Sequence, residues 1–296
     1  MTRTKRFPFE MADEETEVEK PITLTTDVIG KALKGLSKTI DGSGFALTQL
    51  ELIDQNLGDV SALSTFQHIR YLNLSKNLIT DLKPLESMSY ILSLNLSHNK
   101  LVNVELPAFQ FLQILDLTAN QIVAIQNMAM PMLRDLKLGE NLIETVSGME
   151  GNVALKILEL HGNKLTTCSS LGLSTISVLT LTGNQITSTS GLEQLTDVEF
   201  LDFTGNALNS LIGLPKGKLA KLCIKQNQIA TYETFEALAG IQISDLDVSE
   251  NPISDGFDRV KVLRRVATIQ TLNGTGITEE ERAASNEPEA PAEAPA

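Results

Sequence analysis

Apolar positions along the chain fall into a repeating frame. Between Ile69 and Ile79 they stand at Ile69, Leu72, Leu74 and Ile79, with a polar Asn77 set between the last two. The frame returns as Leu94, Leu96, Asn99, Leu101, as Leu115, Leu117, Asn120, Ile122, and as Leu136, Leu138, Asn141, Ile143. It continues through Leu158, Leu160, Asn163, Leu165, then Leu179, Leu181, Asn184, Ile186, then Leu201, Phe203, Asn206, Leu208. Leu222, Ile224, Asn227, Ile229 and Leu246, Val248, Asn251, Ile253 close the series. Successive asparagines are 21 or 22 residues apart, except for the longer last step from Asn227 to Asn251. Leu50, Leu52 and Leu57 open the series one unit earlier, with Gln55 in the asparagine slot, a departure of the kind terminal repeats show.

Two leucines in alternation point to the same side of a short strand. A unit this short cannot bury its apolar side alone, and stacking units buries it in one continuous core. The pattern therefore predicts an α/β leucine-rich-repeat solenoid of right-handed winding. Its curved parallel β-sheet lies on the concave side, and short 3-10 or helical segments fill the convex side. The asparagine sits where the chain leaves the strand, and its amide both donates and accepts, so it suits buried backbone groups of adjacent coils.

The frame also divides the chain. Residues 1–20 form a flexible acidic segment, and residues 21–46 a helical cap with Thr26 or Asp27 at its start and an apolar stripe of Val28, Ala32, Leu33 and Leu36. Ten repeats occupy 47–253. A second cap over 254–282 has a helix with Val260, Leu263 and Val266 or Ala267 inward, then strand-like Ile269, Leu272 and Ile277. The Pro-, Ala- and Glu-rich stretch 283–296 reads as disordered.

Charge and composition narrow the function. A formal net charge of −13 disfavours nucleic acid and anionic membranes as partners. Two distant cysteines, Cys168 and Cys223, fit neither a disulfide framework nor a zinc site and suit a reducing compartment. The N-terminal residues lack the apolar run of a signal peptide, and no stretch approaches the ~20 apolar residues of a membrane span. An intracellular protein is expected. Chemistry finds little support: Glu159 and His161 are the best acid–base pair, and they read as a solvated surface pair. A Gly-x-Ser-x-Gly nucleophile motif does not occur, and Thr25 stands where a phosphate loop ending in Gly30-Lys31 requires glycine. No catalytic, cofactor or metal site is expected, and the chain reads as a non-enzyme.

Binding is better supported. Residues flanking the core leucines face the concave surface, among them Tyr71, Ile114, Asp116, Asp135, Ile157, Glu159, Val178, Phe200, Asp202 and Cys223. Tyr71, Ile114, Ile157, Val178 and Phe200 are apolar where polar residues are usual, and with Asp116, Glu159 and Asp202 they outline a partner-binding groove anchored by Tyr71 and Phe200. Arg259, Lys261, Arg264 and Arg265 form a basic face on the terminal helix, a candidate contact for an acidic partner.

The ending from Asn251-Pro252 to Thr278-Glu279-Glu280-Glu281-Arg282 resembles the intracellular repeat class that includes a phosphatase-1 regulatory subunit and a spliceosomal subunit. Pro21 to Thr39, Leu50-Glu51-Leu52, His68 to Leu85 and Glu279 to Ala283 are similar to the radial-spoke leucine-rich-repeat family of motile cilia and flagella. The similarity runs from about Pro21 to Ala284, with shorter tails here and Asn273 where such caps often carry Asp. It implies a non-catalytic structural part of the axonemal radial spoke, joining spoke proteins on the doublet microtubule within a large complex, without a cofactor. The alternative is a regulatory subunit that holds a phosphatase catalytic domain in its concave face.

Overall fold

The computed structural model describes residues 20–39, 42–106, 109–171, 173–254 and 256–287. Their strands form one long sheet that runs in chain order from Lys34–Lys38 to Thr275–Gly276. Every pairing inside it is parallel, and only the two ends are antiparallel.

The register places one leucine opposite the next along the whole parallel stack. Leu50, Leu72, Leu94, Leu115, Leu136, Leu158, Leu179, Leu201, Leu222, Leu246 and Leu272 are successive partners. All are buried. The second alternating position, from Leu52 through Leu74 and Leu160 to Val248, lies in the same core. At about 1.5–3 kcal/mol per buried aliphatic side chain this ladder is the main gross favourable term of the stack.

Each asparagine bridges two coils. Asn163 donates through Nδ2 to the carbonyl of Leu138 in the preceding coil (2.9 Å) and of Leu160 in its own (3.0 Å), while its Oδ1 accepts the Ile143 N–H (3.0 Å). Asn99, Asn120, Asn141, Asn184, Asn206, Asn227 and Asn251 repeat this set. Asn77 does the same toward the first coil, where its Oδ1 accepts from both Gln55 and Leu57. Gln55 has no preceding coil to bridge, and its amide bonds only to neighbouring carbonyls, which explains its place in the slot.

The residue before each asparagine lies in the left-handed region, with φ from 53° at Gln226 to 68° at Gly205. Glycine fills the slot at Gly162, Gly183 and Gly205, whereas Lys76, His98, Ala119, Glu140, Gln226 and Glu250 hold it with a side chain. That conformation turns the chain out of the strand and aims the following asparagine inward.

On the convex side, 3-10 turns occur at Ser61–Thr65, Lys83–Leu85, Tyr232–Leu238 and Pro252–Ser254. Two small parallel pairs lie outside the long sheet, Ile22–Thr23 with Leu57–Asp59 and Ala124–Ile125 with Thr145–Val146. A further buried asparagine, Asn152, bridges coils on the convex side through Met128, Met130 and Met149, outside the frame read from the sequence. The long step before Asn251 is taken up by the seven-residue turn Tyr232–Leu238 and by longer strands, Lys218–Cys223 and Gln242–Asp247.

The N-terminal cap departs from expectation. Its helix covers only Thr26–Ala32, with Thr25 at the N-cap position, and buries Ile29. Val28 is exposed, and Leu36, assigned to the helical stripe, is 70% exposed on a strand. That strand, Lys34–Lys38, pairs antiparallel with Phe45–Glu51. Leu33 is already extended and ends the helix, Gly35 within the strand adopts φ 69°, and an extended segment satisfies the open backbone edge of the first repeat as a helix cannot.

At the other end, Arg259–Arg265 forms the expected helix, but Val262 rather than Val260 is its buried valine, and Ala267 is exposed. A second helix, Glu279–Asn286, begins with a Thr278/Glu281 capping box and extends past Arg282 into the stretch read as a disordered tail. The readings for residues 1–19 and 288–296 lie outside the described residues.

Three substitutions test the bridging asparagines and the left-handed turns. Asn163→Ala leaves one buried N–H and two buried carbonyls without their amide partner, each worth about 1–3 kcal/mol. Its urea midpoint is expected to fall by the equivalent of several kcal/mol, and a shift under about 0.5 kcal/mol would contradict the bridging role. Ala119→Gly relieves a left-handed side chain and is expected to raise stability by up to about 1 kcal/mol. Gly183→Ala, whose new methyl would meet nothing nearer than 3.7 Å, is expected to lower it by a similar amount through φ alone.

Candidate protein-binding face

Because the strands are in register, side chains that flank the leucine ladder form rows across the inner face. The first row reads Gln49, Tyr71, Ser93, Ile114, Asp135, Ile157, Val178, Phe200, Lys221, Asp245, Thr271. The second reads Glu51, Asn73, Asn95, Asp116, Lys137, Glu159, Thr180, Asp202, Cys223, Asp247. Neighbours in a row are about 4.8 Å apart.

All eight residues expected on this face stand in these two rows. Ile157, Val178 and Phe200 sit on consecutive strands and make one apolar strip. Tyr71 and Ile114, 46% and 43% exposed, are separated from each other by Ser93 and from that strip by Asp135. Tyr71 and Phe200 therefore belong to different parts of the face. In the second row Glu159 and Asp202 line the strip, and Asp116 stands on the Ile114 strand beyond Lys137.

The acids differ in what they touch. Glu159 pairs with Lys137 at 3.9 Å. Oδ1 of Asp116 and of Asp202 accepts the N–H of Thr118 (2.9 Å) and Thr204 (2.8 Å), closing the turn after each strand. Asp135, between two isoleucines, has a buried Oδ1 without a hydrogen-bond partner. Burial holds its pKa above the usual carboxylate range; Glu159 and Asp116 push the same way against the opposing pull of Lys137. The spacing places Asp135 on the face alongside the other row residues, and what distinguishes it is the register that sets it between Ile114 and Ile157.

His161 does not engage Glu159, which is turned to Lys137. Its ring lies over buried Gly139, so closely that a Cβ there would stand 2.1 Å from the imidazole. Cys223, placed on the concave surface by its spacing, is buried there, and burial first and nearby Asp202 second push its pKa to about 11. Cys168 is pushed to about 12 by burial. Neither sulfur is a thiolate at neutral pH, which denies both the nucleophilic form.

The C-terminal end of the face is charge-paired, Lys221 with Asp245 (3.1 Å) and Lys225 with Glu250 (2.7 Å). The basic helix is largely committed within its own cap. Arg259 pairs with Glu281 (2.5 Å) and donates to the carbonyls of Leu272 and Gly276. Lys261 and Arg265 lie over the Tyr232 ring at 5.3 and 5.9 Å, and Arg264 donates to the Ala284 carbonyl. Arg259 and Arg264 thus hold the last helix, and Lys261 and Arg265 pack on the Tyr232–Leu238 turn.

The chain is similar to leucine-rich repeat-containing protein 23 of Homo sapiens, 32% identical over 94 residues, which is 32% of this chain and 27% of the relative. It is 34% identical to the Bos taurus protein of the same name over 91 residues, 31% of this chain and 27% of the relative. The chain thus spans about a quarter of the length of these curated relatives. No protein-family model matches. Among solved structures, a leucine-rich-repeat protein of Leptospira interrogans superposes with a TM-score of 0.60 at 23% identity, covering 76% of this chain and 66% of that one. That likeness shows the fold, and the chain is a leucine-rich-repeat protein.

The pKa of Asp135 supplies a test of the geometry. A carboxyl whose folded pKa is raised favours folding in acid, and that contribution is lost as pH rises through the folded value. Asp135→Asn is therefore expected to raise the urea midpoint at neutral pH, with the gain vanishing below the usual carboxylate range. A wild type more stable than the variant at neutral pH would contradict the desolvated placement.

Proposed function

We propose that this chain is a non-catalytic scaffold that binds partner proteins on its inner face and serves as a structural component of the axonemal radial spoke in motile cilia and flagella. Leucine-rich-repeat folds generally bind proteins, and the rows described above offer a long, preformed, side-chain-rich surface. The residues that carry the interaction are Tyr71, Ile114, Asp116, Ile157, Glu159, Val178, Phe200 and Asp202. Rigid strands present them at fixed spacing, so little ordering entropy opposes binding.

The observation that carries the spoke reading is the similarity to leucine-rich repeat-containing protein 23, together with the flanking segments Pro21 to Thr39, His68 to Leu85 and Glu279 to Ala283. The repeat frame itself discriminates little, because its physics is the same in every protein built on it. On this reading the chain resides in the cytoskeleton of the cilium and works within a large complex. The half-buried cations of the terminal helix, Arg259, Lys261, Arg264 and Arg265, serve on this reading as a secondary contact for an acidic partner.

Location tests the proposal. A tagged chain expressed in ciliated cells is expected to stay with the axoneme after detergent and salt extraction, and to be lost from axonemes that lack spokes. Release into the soluble fraction in company with a phosphatase catalytic subunit would overturn the spoke assignment and favour a regulatory one.

A further inference from the structure

The middle of the inner face combines two features that its ends lack. In the first row, Ile157, Val178 and Phe200 form an uninterrupted apolar strip, and Asp135 stands at its edge with Ile114 beyond. In the second row, Asp116, Glu159 and Asp202 run alongside. Four carboxylates, counting Asp135, face one lysine here, and Lys137 is held by Glu159. Toward the N-terminus the rows turn neutral, through Ser93, Asn73 and Asn95, and toward the C-terminus the lysines and acids pair off.

We infer that this central patch takes a protein segment in which an arginine stands next to a large aliphatic or aromatic residue, the guanidinium seating on Asp135 and the apolar side chain on the Val178–Phe200 strip. The inference rests on the inner face being the partner-binding surface and specifies its partner's chemistry. Asp135 is the centre of the argument. Its Oδ1 is out of water and lacks a donor while the residue as a whole is half-buried, so part of the carboxylate's desolvation is met in the fold and a cation seated over the open side of the group answers its unmatched charge. A guanidinium presents two N–H groups in a plane to a carboxylate and is more weakly hydrated than an ammonium, which favours arginine over lysine. The isoleucines on either side of Asp135 then cover the arginine's methylenes and exclude water from the pair.

The flanking acids extend the complementarity. Asp116 and Asp202 each have one carboxylate oxygen engaged with a turn amide, so they are fixed in place and add a steady negative field on both sides of the seat. That field speeds encounter with a basic segment and disfavours acidic segments, nucleic acid and anionic lipid at the same place. The apolar strip supplies the burial that a charge pair alone does not.

The probe is a randomised peptide library displayed on phage and selected on the full chain, with enriched peptides resynthesised and their affinities measured by fluorescence anisotropy. Enriched peptides are expected to carry arginine beside a large apolar residue. Asp135→Asn and Phe200→Ala are each expected to weaken them roughly tenfold or more. Replacing the peptide arginine by glutamine should weaken binding to the wild type but not further to Asp135→Asn, the coupling that a direct pair requires. A urea titration of both variants confirms that they are folded. Peptides that are weakened by Phe200→Ala yet lack a cation, or are indifferent to Asp135→Asn, would overturn the proposed chemistry while leaving the face as the binding surface. Peptides indifferent to both variants, or no enrichment at all, would overturn this proposal and the inner-face reading with it.

Discussion

Each coil leaves its strand through a left-handed turn, and the backbone groups at that turn lie in the core, where water does not reach them. The asparagine amide answers this constraint. Its nitrogen donates to carbonyls of two successive coils and its oxygen accepts an N–H of the earlier one, as at Asn163. A serine or aspartate cannot do both, because neither carries two donors and an acceptor in one plane. These bonds fix coil on coil at a single offset, and the leucine ladder follows from that offset. A slip of one residue would send every leucine to the solvent face. The rows on the inner face have the same origin.

The same constraint explains how the stack ends. A first coil has nothing before it to bridge, so Gln55 suffices, and the open strand edge is closed by the antiparallel strand Lys34–Lys38. At the far end the chain turns at Asn273, with φ 52°, and its side-chain oxygen accepts the Val248 N–H at 2.9 Å. The backbone carbonyl of the next coil would otherwise take that bond, as Asp247 does for Ile224 at 2.8 Å. Only an acceptor is needed there, so Asn serves as well as Asp. Arg259 and Arg282 then clamp the last helix against carbonyls of the closing hairpin, which is why the basic helix is less open than its sequence suggests.

What is legible in the sequence is whatever the period controls. The leucine ladder, the asparagine slots and the membership of each inner-face row all follow from the spacing, and the likeness to the Leptospira protein agrees on the fold. The caps were less legible because they are not periodic. Val28, Ala32, Leu33 and Leu36 have helical spacing, but Gly35 stands inside the stripe and the first strand's unpaired edge outweighs a short helix's weak propensity. Asn152 escaped notice because it bridges convex loops, whose lengths vary from coil to coil. At the face, Asp135 and Asp116 are alike in spacing and residue type. Their difference is in hydrogen bonding: one carboxylate oxygen closes a turn, while Asp135 Oδ1 is buried between isoleucines.

This division of labour bears on how such a protein acquires a function. Leucines and asparagines meet the buried core and the backbone, whereas row residues such as Phe200, Asp135 and Lys221 line the inner face. A change in a row alters the surface without disturbing the ladder beneath it, within the limits that small contacts such as Gly139 under His161 impose. The neutral N-terminal third, the acidic and apolar middle and the charge-paired C-terminal third are therefore independent in their chemistry while sharing one frame. Fold likeness at 23% identity reports on the frame alone. Evidence for a partner has to come from the rows and the caps, and there the unsatisfied carboxylate beside an apolar strip is the most specific demand the surface makes.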